Sequence, residues 1–346
     1  MSTYIRVNLP ANMKAGDCAY FEPFAIYELA DLSCQRLNNI FITYTGLCMD
    51  GNGQLLKESH HDYPDQYENF YNEAAFFEYD VIVNPGNLIT LDDNQYLLIH
   101  HPWLNYFHWI TEAVLRLWMV KDELSNMILL LPERWSKVNY VMESLRPFDC
   151  KRIHLIPENK SVQVGDLCLP RIKPIVDSYH RAEMAGIKDL YLRYVDSDVS
   201  MYQNLGDRIY ISRKKSKRRH ISNEDAVEET MRCYGFTILC MEELSFFQQA
   251  AIFSHARYLV SIHGAGLTNM LFMKQNASVL ELQMKQRERS EAVSFAYWYL
   301  ADVLGHRYYY QFCTPSDAGT DLYDKDLLVD IEELKRNLDA MGSGYK

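Results

Sequence analysis

The second half of the chain alternates short apolar segments with longer amphipathic ones, and this alternation constrains the fold more than any other feature. Between residues 208 and 312 the linkers are short. Such spacing is typical of a parallel sheet that carries helices on both faces through right-handed crossovers. The predicted strands are 208–212, 236–240, 258–262, 279–282 and 308–312, and the predicted helices are 223–234, 245–254, 267–273 and 290–304.

The first half shows the same alternation less regularly. The predicted strands are 39–44, 96–100, 127–131 and 152–156, and the predicted helices are 106–120, 136–145 and 181–194. A chain of 346 residues is long for one core, so two domains are expected. We predict an α/β fold with domains at 1–180 and 181–320. A C-terminal helix within 321–346 is predicted to pack back on the first domain.

Composition excludes several classes of protein. The net charge is −11, and the dense basic run 213–220 is too local to coat a groove, so no nucleic-acid partner is expected. The cysteines lack metal-site spacing, and Cys168 and Cys240 lie in apolar runs, which predicts free thiols in a reducing compartment. Without a signal-like or membrane-spanning run, we predict a cytoplasmic location. The 25 tyrosines leave open a peripheral association with the inner face of the membrane.

A turn at the end of the predicted strand 258–262 indicates an anion site. It comprises His263, Gly264, Ala265 and Gly266. Glycines let a ligand approach the backbone, and the N-terminus of the next helix offers N–H groups to a phosphate. His263 and Asn269 would add hydrogen bonds. The same turn could be a plain connection or the oxyanion turn of a hydrolase, but the chain has no G-x-S-x-G nucleophile motif.

Two further polar features belong to neighbouring predicted strands. Ser212 ends the strand 208–212 and Arg213 directly follows it, and we expect Arg213 and either Arg218 or Arg219 to bind phosphate. Glu281 is predicted to end its strand and to accept the hydroxyls of a ribose. Because the carboxyl ends of parallel strands meet at one edge, these side chains are expected to converge.

A polar stripe marks the predicted helix 106–120. His108, Glu112 and Arg116 recur at intervals of four and therefore share one face. Such a stripe could hold a carboxylate ionised and aimed at a substrate. An exposed helix with intrahelical salt bridges would show the same spacing, so the spacing alone does not decide between the two.

Taken together, these segments resemble glycosyltransferase family 61. The resemblance rests on residues 105–112, on 211–213 with 223–224, and on 261–272. It implies a GT-B architecture, with two Rossmann-like domains facing a cleft, the donor in the second and the acceptor in the first. It also implies inversion at the anomeric carbon without a metal or another cofactor. Glu112 stands where the family motif has its acidic residue.

The resemblance therefore implies an enzyme that moves a sugar from a nucleotide diphosphate sugar, UDP-linked by expectation, to a hydroxyl of a glycan or glycoconjugate, as in bacterial surface polysaccharide synthesis. Glu112 is the expected base, His108 positions the acceptor or is itself the base, and Asn105 and Arg116 support them. The expected donor-binding residues are Ser212, Arg213, Arg219, His263, Gly264, Ala265, Gly266, Asn269 and Glu281.

The sequence leaves two alternative functions open. Residues 196–198 read Asp-Ser-Asp, formally the D-x-D of a metal-dependent transferase, but they follow a helix instead of a buried strand. A nucleotide-sugar-binding or regulatory protein without turnover would share the donor site. Such a protein would not need Glu112.

Overall fold

The chain divides into two compact units. A computed structural model describes residues 3–60, 84–170, 178–195, 202, 205–284, 294–316 and 325–342. We call Ala30–Val176 the middle unit, and Met1–Leu29 together with Asp177–Lys346 the terminal unit. This division differs from the predicted boundaries, because the first 29 residues do not belong with the residues that follow them.

The N-terminal segment is fixed to the terminal unit by contacts across nearly the whole sequence. It contains the antiparallel strands β1 (Thr3–Arg6) and β2 (Ile26–Leu29) and the short helix α1 (Cys18–Phe21). Asn12 exchanges two hydrogen bonds with the backbone of Tyr310, and Phe21 packs edge-on against Trp298. No local sequence pattern indicates these contacts between distant residues, which is why the predicted domain 1–180 groups the segment differently from the compact units.

The middle unit is built on a mixed sheet in the strand order β4-β3-β9-β6-β7-β8, with β5 also paired to β9. Strands β6, β7 and β8 are parallel, as the alternation predicts, whereas β3 and β4 are antiparallel. The strand β9 was not predicted. The strands are β3 (Cys34–Thr43), β4 (Cys48–Met49), β5 (Leu88–Thr90), β6 (Gln95–Leu98), β7 (Ile128–Pro132), β8 (Ile153–Ile156) and β9 (Ser161–Pro170).

The predicted helix 106–120 is confirmed, but it is not uniform. This helix, α2, consists of Tyr106–His108, the π-helical Trp109–Ala113 and Val114–Met119. The N–H of Val114 donates to Trp109 O, one residue further back than in an α-helix. Such π segments occur frequently at functional sites, and this one carries Glu112. The helix α3 (Asn139–Leu145) follows β7.

Cys34 on β3 and Cys168 on β9 form a disulfide, with Cα atoms 6.5 Å apart. This Cα separation is ordinary for a disulfide. The prediction of a free thiol is therefore wrong for Cys168, although Cys240 is free. The bond joins strands whose pairing the sequence pattern did not reveal. It weighs against the reducing compartment that the cysteine pattern predicts, since disulfides persist mainly in oxidising compartments.

The terminal unit confirms the predicted doubly wound sheet. Its strand order is β11-β10-β12-β13-β14-β15, and β10 to β14 are parallel. The chain order reverses between β10 and β12, and such a switch point leaves a crevice for ligands outside the carboxyl ends of the strands. The strands are β10 (Arg208–Ile211), β11 (Thr237–Leu239), β12 (Tyr258–Ile262), β13 (Ser278–Met284), β14 (Arg307–Pro315) and β15 (Leu327–Leu328).

The helices of this unit are α4 (Arg181–Arg193), α5 (Glu224–Cys233), α6 (Phe246–His255), α7 (Ala296–Val303) and α8 (Ile331–Ala340). The C-terminal helix α8 packs within the terminal unit, where Asn12 of the N-terminal segment donates a hydrogen bond to its Asn337. Its buried Leu334 and Leu338 join the apolar cluster around Val227 and Met231 of α5, so it covers the sheet of its own unit. Among the residues that the structure describes, no helix has both the length and the apolar character needed to cross a bilayer.

Two buried histidines predict acid sensitivity. Burial lowers the pKa of His100 to about 3 and that of His306 to about 4. Because both pKa values lie below the unfolded value of about 6.5, the stability they contribute is full above that pH and is lost as the pH falls toward 4. Each group should lower the free energy of unfolding by on the order of 2 kcal/mol between about pH 6.5 and pH 4.5.

Urea unfolding across this pH range checks the prediction. The variant His100→Phe keeps an aromatic ring and removes the titrating group, so its stability should fall less steeply with acid than that of the wild type. Equal slopes for the two proteins would contradict the assignment.

Candidate functional site

The switch point of the terminal unit brings together the polar residues that follow β10 and β12. We call Arg213, Arg219, His263, Gly264 and Glu281 the switch-point cluster. Arg219 Nη1 donates a hydrogen bond of 3.0 Å to His263 O. A Cβ atom placed on Gly264 would lie 2.6 Å from Arg213 Nη1, so the absence of a side chain lets the guanidinium reach the turn. The structure therefore places these residues at one edge of the sheet.

Arg213 is held in place by the loop that follows β10. Its Nε donates to Arg219 O at 3.1 Å, and its Nη2 donates to Ser216 Oγ at 2.7 Å and to Arg218 O at 3.0 Å. Burial, and next the neighbouring Arg219, lower the pKa of Arg213. Of the two alternatives for the second arginine, Arg219 lies in the cluster, while Arg218 contributes its carbonyl and is exposed. The two adjacent guanidinium groups repel each other, and a bound anion would offset this repulsion.

Glu281 occupies a different position from the one predicted. Strand β13 continues to Met284, so Glu281 lies within the strand and is fully buried. Its Oε1 is 2.5 Å from His263 Nδ1, and its Oε2 accepts a hydrogen bond of 2.7 Å from the Tyr308 hydroxyl. Both oxygens are thus engaged within the protein. The geometry favours a role in holding His263 over direct contact with a ribose.

Three other predicted donor-binding residues support the turn from the interior of the protein. Ser212 is buried and donates to Glu224 Oε1 at 2.6 Å. Asn269 is buried and donates to Gln249 Oε1 on α6 at 2.9 Å. A Cβ on Gly266 would lie 3.2 Å from Ile211 Cδ1 on β10. These contacts anchor the turn to α6 and β10.

The segment after the turn is also different in detail from the prediction. It is the 3₁₀ helix Ala265–Phe272 instead of an α-helix at 267–273. Ala265, its first residue, is half-buried, whereas residues 267–272 are buried. The start of this helix, next to His263 and Arg213, is therefore its accessible end.

The middle unit holds a second cluster, in which two imidazoles flank one carboxylate. We call His101, His108 and Glu112 the histidine cluster. Glu112 is only 3% exposed; its Oε1 is 2.8 Å from His108 Nδ1. Its Oε2 lies 2.6 Å from His101 Nε2. The N–H of Trp103 donates to His101 Nδ1 at 3.3 Å, which leaves the proton of a neutral His101 on Nε2, facing Glu112.

Sequence reasoning missed His101. The available signal was its position just after a predicted strand, at the edge of a parallel sheet where ligand-binding side chains collect. Its neighbour His100 is buried and belongs to the core. The pairing of His101 with Glu112 joins a strand end to a helix, and helical spacing alone cannot reveal such a contact.

The two residues predicted to support this site are structural. Asn105 caps α2, since its side chain accepts the N–H of His108 at 3.0 Å. Arg116 is fully buried and donates to Ile99 O at 3.2 Å and to Glu58 O at 2.7 Å. Burial lowers the pKa of Arg116 to about 10, while the charge of Glu112 opposes this shift. The stripe is thus buried, unlike the exposed helix that the spacing also allowed.

The histidine cluster is also a group that could hold a metal ion. Within the described ranges, His101, His108 and Glu112 offer donor atoms within 4.8 Å of one another. However, each oxygen of Glu112 faces a different imidazole nitrogen at hydrogen-bond separation, and the buried cation Arg116 lies nearby. A network of shared protons fits this geometry better than a shared ion. The Asp-Ser-Asp sequence at 196–198 lies outside the described residues.

Comparison with known proteins gives one result, which covers part of each cluster and leaves His101 and Glu281 outside the matched residues. The model of the family Glycosyltransferase 61 matches residues 106–280. This chain belongs to glycosyltransferase family 61. No curated protein matches it significantly. The matched region contains α2 with His108 and Glu112, and the turn with His263 and Gly264.

Membership in family 61 implies glycosyltransferase activity, with a donor and an acceptor substrate. The switch-point cluster has the charge and position expected for an anionic donor. The histidine cluster has the groups needed to move a proton. Each cluster lies within one unit of the fold.

Gly264→Ala tests whether Arg213 must reach the turn. The new Cβ would displace the guanidinium, the mobile end of a side chain, so folding should be nearly unaffected while affinity for a nucleoside diphosphate falls at least tenfold. Calorimetric titration with UDP and GDP, alongside thermal unfolding, measures both effects. Gly16→Ala is the matched control, because a Cβ there meets nothing within 4 Å. Unchanged affinity in Gly264→Ala would contradict the assigned role.

Proposed function

We propose that this family 61 enzyme transfers a sugar from a nucleotide diphosphate sugar to a hydroxyl of a glycan or glycoconjugate, with inversion and without a metal ion. A UDP-linked sugar is the first donor to test, and bacterial surface polysaccharide synthesis is the proposed context. In this proposal the chain is a GT-B enzyme whose terminal unit binds the donor and whose middle unit binds the acceptor.

The observation that carries the proposal is the cationic switch-point cluster. As the bond from the anomeric carbon to the diphosphate breaks, negative charge develops on the leaving group. Arg213 and Arg219 supply fixed positive charge, and His263 supplies a further donor next to the start of the helix Ala265–Phe272. Losing one preorganised contact of this kind raises the barrier by about 2.7–4 kcal/mol in other enzymes. The cluster provides this stabilisation without requiring a metal.

The proton of the acceptor hydroxyl needs a base in the same step. Glu112 was the expected base, but both of its oxygens face imidazoles and it is nearly inaccessible. The charge of Arg116 favours ionised Glu112, so the proton between Glu112 and His108 belongs on His108 Nδ1. Nε2 of a neutral His108 then carries the lone pair. We therefore assign the base to His108 and the positioning role to Glu112.

The proposed transfer of the sugar is a single displacement. The acceptor oxygen attacks the anomeric carbon, its proton passes to His108 Nε2, and the bond to the diphosphate oxygen breaks as the nucleoside diphosphate leaves. Attack from the face opposite the leaving group inverts the anomeric configuration. Glu112 stabilises the imidazolium that forms, as a buried carboxylate does in other histidine-dependent enzymes.

Variants of the histidine cluster test this assignment. A positioned base contributes about 10²–10⁴ in rate, so His108→Ala should lose that factor and recover part of it with added imidazole. Glu112→Gln should also lose turnover, because it removes the charge that orients His108. Both variants should bind donor normally, as calorimetry with UDP can establish. Near-normal turnover by Glu112→Gln, or full turnover by His108→Ala without imidazole, would contradict the mechanism.

Treatment with a chelator tests the absence of a metal from the mechanism. Because the fixed cations of the switch-point cluster supply the charge, turnover should be unchanged after prolonged EDTA treatment and after removal of bound metal. Turnover that EDTA abolishes and Mg²⁺, Mn²⁺ or Zn²⁺ restores would contradict the proposal. His101→Gln then shows whether the histidine cluster holds that ion.

A further inference from the structure

His263 differs from the other basic members of the switch-point cluster because its charge is not fixed. A guanidinium such as that of Arg213 or Arg219 remains cationic in a protein, whereas an imidazole is either neutral or charged near neutral pH. Whether His263 can donate a hydrogen bond to a diphosphate therefore depends on which of its ring nitrogens carry a proton.

The contact with Glu281 places a proton on the inner nitrogen. His263 Nδ1 lies 2.5 Å from Glu281 Oε1, so this nitrogen shares a proton with the carboxylate. If the imidazole is neutral, Nε2 then carries a lone pair, which repels a phosphate oxygen. The side chain is 25% exposed, while Glu281 is fully buried, so the accessible part of the ring lies away from Glu281. His263 can donate to a ligand at Nε2 only after it gains a second proton.

A chain of hydrogen bonds keeps Glu281 in the accepting state. The amide of Gln283 donates from Nε2 to the Tyr308 hydroxyl oxygen at 2.7 Å. The hydroxyl proton of Tyr308 is then donated to Glu281 Oε2, also at 2.7 Å. A carboxylate that accepts in this way is suited to be the counter-charge of an imidazolium. This explains why an acidic residue lies fully buried behind the turn.

Two arginines and one aromatic ring also lie next to His263. Arg219 contacts the carbonyl of His263 itself, Arg213 packs against Gly264, and the ring of Tyr297 on α7 lies 5.3 Å from the imidazole. Two guanidinium groups disfavour a third cation, and Glu281 favours it. The negative charge of an incoming diphosphate shifts this balance toward the imidazolium.

We propose that His263 takes up one proton from solvent when the diphosphate of the donor binds, and that Glu281 is the positioning residue that makes this uptake possible. The inference rests on the proposed donor site. The new proton forms an N–H bond at Nε2 and is shared with a phosphate oxygen in a charge-assisted hydrogen bond. It returns to solvent when the nucleoside diphosphate leaves. Affinity should accordingly fall about tenfold per pH unit on the alkaline side.

Calorimetry in buffers of different ionisation enthalpy counts the protons directly. UDP and GDP are titrated into the full-length protein at about pH 8. The wild type should take up about one proton per bound diphosphate. His263→Gln should still bind, more weakly, and take up none.

Two further variants distinguish the effect of the charge of Glu281 on proton uptake from the effect of its packing. Glu281→Gln should lose most of the proton uptake at about pH 8, because the counter-charge is gone. Tyr308→Phe is the matched control, since it removes one hydrogen bond to Glu281 and leaves the charge, so its uptake should equal that of the wild type. His263 is partly exposed, so His263→Gln remains informative if Glu281→Gln does not fold.

The possible outcomes are distinguishable. Diphosphate binding by the wild type without proton uptake, or equal uptake by wild type and His263→Gln, overturns this inference and leaves the proposed function intact. If neither UDP nor GDP binds the wild type under these conditions, while both bind after Glu281 or His263 is replaced, the coupling is also overturned. Binding of neither diphosphate by any of the proteins contradicts the donor site, and with it this inference.

Discussion

The parallel pairing of β10 with β12 is the constraint on which the proposed donor site depends. The chain order reverses between these strands, and ligands of such sheets bind outside the carboxyl ends of the strands at this point. Arg213 leaves one strand and His263 leaves the other, and Gly264 provides the space in which the guanidinium meets the turn. A slip in the pairing of β10 and β12 would separate these groups. The fold thus positions the charge before any ligand arrives.

Each unit of the protein pairs a buried carboxylate with an imidazole, and the surroundings give the two pairs different tasks. In the histidine cluster, Glu112 faces two imidazoles, which suits a histidine that receives a proton from a substrate. In the switch-point cluster, Glu281 faces one imidazole beside two guanidinium groups, which suits a histidine that donates to an anion. In both cases the carboxylate is buried, as the proposed role of a counter-charge to the imidazole requires.

The sequence predicted what local periodicity and strand order determine. The doubly wound sheet, the position of α2 and the convergence of Arg213, Arg219 and His263 follow from alternation and from the rule that parallel strands end at one edge. Contacts between distant segments were not predictable in this way. The N-terminal segment beside Tyr310, the pairing of His101 with Glu112 and the burial of Glu281 all depend on tertiary packing. The extent of β13 decides the role of Glu281, and strand ends are the least certain part of a sequence-based prediction.

We propose above all that Arg213 at the switch point binds the diphosphate of a nucleotide sugar. The most direct test is the unfolding temperature of the wild type and of Arg213→Gln with a panel of nucleotide sugars. At a ligand concentration about 100 times its Kd, binding stabilises the folded state by about 2.7 kcal/mol. We expect at least one nucleotide sugar to raise the unfolding temperature of the wild type by several degrees and to leave that of Arg213→Gln nearly unchanged. No stabilisation by any of them, or equal stabilisation of both proteins, would contradict it.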